Sequence, residues 1–246
     1  MRRFIKDAFL LGVLDEIETA HGKHVSVRIL TPEERKKQFF GINYHPPDDS
    51  FYFAYHPSRL PTQANICHEL LHICLILEGW PNFYPDIALL DYPLERAAML
   101  CLAELTQHVF VWNIMEKLEY SEEAESTAEA ISDAIPAIKS GALIRGCHQN
   151  VHDQVQAAFL AHILLCPMEE GVKNEIRYMS EYTMPKACLL AHRIVLAYEK
   201  AAPFSPQSCV SAFHSALEIA RWPKDSLQAV PINLIHPGFL SRILSI

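Results

Sequence analysis

Apolar positions fall at helical spacing at Phe4, Ala8, Leu11 and Leu14, then alternate at Val25, Val27 and Ile29. The first pattern predicts a helix over residues 4–19, the second a half-buried strand. Thr31-Pro32-Glu33-Glu34 has the form of a capping box with proline at the first helical position, so a short helix is expected to open there. Aromatic-rich strand candidates at residues 39–44 and from Phe51 to Tyr55 flank a stretch dense in turn formers, which predicts a hairpin with a long tip. From Pro61 to about Leu77 runs a strongly apolar helix, stopped by Gly79 and Pro81. A loop rich in proline and aromatics then leads to a second helix, from Pro93 to about Leu118.

Beyond Ser121 no segment reads as a strand, whereas residues 122–138, 144–165, 185–200 and 206–221 favour helix. The expected architecture is α+β: a mixed unit over residues 1–120, followed by an all-helical module over 121–246. No internal repeat, low-complexity stretch or linker is evident, so that boundary rests on the loss of strand signals alone.

Half of the 246 residues are apolar, enough for one large core or two modest ones. With 29 acidic and 21 basic side chains the net charge is -8, which gives no broad attraction to phosphate backbones and argues against a nucleic-acid partner. The seven cysteines form no CxxC pair and mostly sit in apolar, helix-like stretches, as reduced core residues do. Charged residues interrupt the apolar run after Met1-Arg2-Arg3 too early for a secretory leader, and no run approaches the roughly 18 to 20 apolar residues that span a bilayer. A soluble, cytoplasmic protein without a membrane partner is expected.

The chemistry lies in His68-Glu69-Leu70-Leu71-His72. Residues four apart on a helix are about 40° apart around its axis, so the two imidazoles can face one metal ion. Glu69, about 100° further round than His68, is placed to hold a water beside that ion as a general base. The bland reading is a core helix whose histidines are satisfied by neighbours; against it, two imidazoles and a carboxylate among Ile66, Cys67, Leu70, Leu71 and Ile73 are costly to bury without a cation. A third ligand is needed, and the second helix offers Glu95, Glu104 and His108. Glu104 and His108 lie about 180° and 220° round from Glu95, so the helix must choose a face. Glu95, in the first turn beside the aromatic loop, is the preferred ligand, and Glu104 with His108 reads as an i, i+4 pair on the opposite face. His148 and His152 form a further HxxxH pair beside Asp153, in a polar segment that reads more simply as a solvated helix face.

A strand pair, then HExxH, then a helix opening on Glu95-Arg96-Ala97-Ala98 and continuing to Leu105 resembles the gluzincin metallopeptidases, in particular the ImmA/IrrE-type bacterial group. The resemblance covers about residues 24–110. Cys101 and His108 depart from it, where the group usually has phenylalanine and a helix-ending proline. It implies a small zincin-like sheet, a zinc ion on His68, His72 and Glu95, Glu69 as general base, and hydrolysis of a peptide bond. The strand from Phe51 to Tyr55 is a candidate exposed edge on which a protein or peptide substrate would pair, or else ordinary core. For stabilising the oxyanion, Tyr84, Tyr92, His148, His152 and Tyr182 stand open. The rival function is a catalytically silent, zinc-containing domain that binds a partner protein. Glu69, adjacent to the ligands and not needed in the metal's coordination, argues against it, because structural zinc is usually closed by four protein ligands.

Overall fold

The computed structural model describes residues 1–32, 40–45, 50–58, 60–81, 83–85, 93–120, 134–141, 152–202, 205–222, 227–229 and 236–245. Most of the short helix expected after Thr31, the hairpin tip at 46–49, and the sites Tyr92 and His148 lie outside them. The chain is mixed α+β, as the periodicities require, with helix predominating.

It divides into two compact units that are interleaved in sequence. The first comprises Met1–Trp80, Asn113–Glu123 and Ile232–Ile246; the second comprises Pro81–Trp112 and Ala124–Pro231. The break expected near residue 120 therefore falls inside the first unit's middle segment. One helix, α3 (Pro93–Lys117), contributes to both units, which loss of strand periodicity could not reveal.

In the first unit, α1 (Ala8–His21) is capped by Asp7, whose Oδ1 accepts from the backbone N–H groups of Phe9 and Leu10. It ends at Gly22, whose φ of 73° is the left-handed conformation glycine adopts without a Cβ penalty. Leu10, Val13, Leu14 and Ile17 form its buried stripe. The sheet has the order β1-β3-β2, from β1 (Ser26–Ile29), β2 (Phe40–His45) and β3 (Ser50–Tyr55). β2 and β3 form the expected antiparallel pair, with Phe40 opposite Tyr55 and His45 opposite Ser50, while β1 runs parallel to β3, with Ser26 opposite Tyr52. This overturns one expectation. The strand from Phe51 to Tyr55 is central, with its backbone groups already used on both sides, so it offers no free edge to a substrate. Phe51 and Phe53 are core residues instead.

Helix α2 (Gln63–Glu78) packs against α1 and β2. Thr62 caps it in a reciprocal box, Thr62 Oγ1 accepting from Asn65 N–H and Asn65 Oδ1 from Thr62 N–H, and Gly79 at φ 95° ends it. Gln63 ties its start to the N-terminal segment, accepting from the N–H groups of Lys6 and Asp7 and donating to the Phe4 carbonyl. At its far end Glu78 accepts from Gly238 N–H at 2.8 Å and Leu240 N–H at 2.9 Å, so its carboxylate faces the N-terminus of α8 (Phe239–Ile243). α2 is thus held at both ends.

The second unit holds the body of α3, a helical segment at 134–139, α4 (His152–Leu165), α5 (Glu170–Thr183), α6 (Pro185–Glu199) and α7 (Pro206–Ile219). Their apolar faces share one core, in which Tyr198 is fully buried and its hydroxyl donates to the Leu102 carbonyl at 2.6 Å. This half is not strand-free as expected: β5 (Leu227–Ala229) pairs antiparallel with β4 (Phe83–Pro85). A three-residue strand is too short to show a period. Residues Leu94–Lys117 of α3 have the length and apolarity of a membrane span, contrary to the reading from apolar runs, but 61% of their most apolar window is buried, as in a core helix.

Because the Thr62 cap fixes where the HELLH helix begins, Thr62→Ala should cost about 1 kcal/mol of stability and Thr62→Ser much less, as read by denaturant unfolding. An alanine variant as stable as the wild type would mean the cap contributes nothing.

Candidate metal centre

Helix α2 is buried over most of its circumference, because it packs against α1 and β2 and also contacts α8. Ile66, Cys67, Leu70, Leu71, Ile73, Cys74, Leu75 and Leu77 are all 2% exposed or less. In this apolar setting the i, i+4 spacing brings the Nε2 atoms of His68 and His72 to 3.0 Å, with ring centroids 4.7 Å apart and planes inclined by 68°. Both rings are half-buried. Glu69, the next residue round the helix, is only 8% exposed. A carboxylate is rarely placed this deep unless it is paired or coordinated.

The two imidazole nitrogens could hold a metal ion. Two nitrogens bound at about 2.0–2.1 Å to a tetrahedral ion stand about 3.3 Å apart, close to the separation seen between the two Nε2 atoms. Glu95, the preferred third ligand, is half-buried in the first turn of α3 and belongs to the second unit.

The second unit contains a grouping that the sequence did not reveal. Glu104 and His108, one turn apart on α3, meet His162 of α4, and one ligand atom from each lies within 4.8 Å of the others. His108 stacks on Trp112 at 5.1 Å, and His162 meets Trp112 edge-on at 6.0 Å and His108 at 5.9 Å. Burial pushes the His162 imidazole down to about 4, so it is neutral near pH 7. Glu104 and His108, read from the sequence as an i, i+4 pair, thus meet a third residue. Nothing in the local sequence of α4 singles out His162, since its role depends on α3 and α4 packing together.

The other candidates separate. His152, half-buried at the start of α4, accepts at Nε2 from the Gln156 side-chain amide at 3.0 Å and lies 3.9 Å from Asp153. Tyr182 is 86% exposed on α5. Tyr84 stands in β4, opposite Gln228. No family model, curated protein or solved structure matches the chain.

The depressed His162 has a consequence for acid stability. Between its ordinary value of 6.5 and about 4 the unfolded chain binds a proton there that the native chain does not, so native stability falls as pH falls through that window. Measured in chelator by denaturant unfolding, wild type should lose more stability than His162→Gln between pH 6.5 and 4. Equal losses would contradict the burial of this imidazole.

Proposed function

We propose that His68 and His72 hold a zinc ion and that the protein hydrolyses peptide bonds. The observation that carries this reading is the convergence of two imidazole nitrogens beside a buried glutamate on one helix. The resemblance to gluzincins supplies Glu95 as the third ligand and a zincin-like sheet as the support. Two imidazoles and one carboxylate leave a position open, which a closed structural site does not.

A zinc ion held there would lower the pKa of a bound water and polarise the scissile carbonyl. The chain's own residues do the rest. Glu69 accepts the proton of the attacking water and returns it to the departing amine, a role that needs a carboxylate within one water of the reacting atoms. The apolar packing around α2 excludes bulk water and strengthens that exchange. The cap at Thr62 and the contacts of Glu78 fix the helix along its axis, so the imidazoles keep their register. The substrate is a protein or peptide, bound elsewhere than along β3. The described cysteines form no disulfide, which suits a reducing compartment such as the cytoplasm, and the acidic balance gives no reason to invoke nucleic acid.

The test is Glu69→Gln beside His72→Ala. The amide keeps the shape but takes no proton, so zinc content and folding should match wild type while cleavage falls at least about 10²-fold. His72→Ala should lose the zinc of this site. Substrates are sought by comparing cell proteomes with wild type and Glu69→Gln expressed. Equal cleavage by both would remove Glu69 from the chemistry. If neither cleaves anything, while both hold zinc and capture the same partner, the chain is the catalytically silent binding module instead.

A further inference from the structure

We propose that Glu104, His108 and His162 of the second unit form a metal site that takes a zinc-like divalent ion. Their ligand atoms lie within 4.8 Å of one another although they come from two helices, α3 and α4, that meet in the core of the second unit. The Nε2 atom of His162 is buried and has no hydrogen-bond partner among the described residues. Its other nitrogen, Nδ1, faces the Sγ of Cys166 one turn on, at 3.9 Å, which orients the ring and leaves Nε2 as the ligand atom. A buried imidazole nitrogen left without a partner is a cost, and an ion at this point would remove it.

The surroundings suit a bound cation. Trp112 walls one side, stacked on His108 and edge-on to His162, so the rings have little room to turn away. Glu104 is exposed, which gives the ion a route in and a carboxylate to compensate its charge. Two imidazoles with one carboxylate select a late first-row divalent ion, since magnesium and calcium require oxygen ligands throughout. The site is incomplete with three protein ligands, and water would fill the remainder.

The experiment titrates Co2+ and Zn2+ alone into the full chain carrying His68→Ala and His72→Ala, with visible spectroscopy for cobalt and calorimetry for zinc. The proposal expects about one ion to bind, with nitrogen and oxygen coordination. Adding Glu104→Gln, an exposed change that should not disturb folding, should weaken binding at least about 10-fold, and His162→Leu should abolish it. Thermal melts of the metal-free proteins check that each is folded. A folded His68→Ala/His72→Ala protein that takes up neither metal, or one whose affinity is unchanged by Glu104→Gln, would overturn the site. Equal uptake by wild type and the His68→Ala/His72→Ala protein, weakened by Glu104→Gln, would support this site while sinking the zinc on α2.

Discussion

Burial of α2 is the constraint from which the rest follows. A helix enclosed by α1, β2 and α8 has to be apolar over most of its surface, and this one is. Three ionisable side chains within five residues of such a helix are then a burden unless something offsets their charge or polarity. The i, i+4 spacing supplies a way to do so, because it turns His68 and His72 into one bidentate donor. The flanking structure serves this arrangement. Thr62, Asn65 and Gln63 hold the entry of the helix, Glu78 and Gly79 its exit. Tyr120, donating to the same Asp7 that caps α1, ties in the segment following α3. Its phenol is pushed well above its usual range by burial and by that carboxylate, so the bond persists across ordinary pH.

The second unit meets a similar demand differently. Its core is aliphatic and aromatic, with Tyr198 satisfied by the Leu102 carbonyl, yet an imidazole nitrogen of His162 is buried among these groups. Where α2 concentrates its donors on one helix, this unit assembles them from two. That difference has a chemical consequence. A pair on one helix keeps its spacing as long as the helix persists, whereas the grouping of Glu104, His108 and His162 depends on how α3 and α4 pack, and should respond to anything that shifts them.

What the sequence disclosed was local. The HELLH pair, the Gly79 stop, the β2–β3 pairing and the helices near residues 93, 185 and 206 all depend on neighbours within a few residues, and periodicity records such neighbours. What it withheld was non-local. Alternation at Val25, Val27 and Ile29 identifies a strand but not its partner, so the parallel pairing of β1 with β3, which makes Phe51 to Tyr55 central, was not legible. The interleaving of the two units was hidden for the same reason. α5 went unnoticed because its charged sequence buries only Ile176 and Ser180, though Val172, Ile176 and Met179 have helical spacing. His162 looks like one more polar residue in a helix until α3 is placed beside it.

Zinc-edge X-ray absorption on protein loaded with one equivalent of zinc tests directly whether the two imidazoles of α2 hold the ion. Nitrogen and oxygen neighbours at about 2.0–2.1 Å are expected, with an imidazole signature from two histidines and a spectrum that changes when His68 and His72 are both alanine. Sulfur neighbours at about 2.3 Å, or a spectrum indifferent to the loss of both histidines, would contradict zinc binding there.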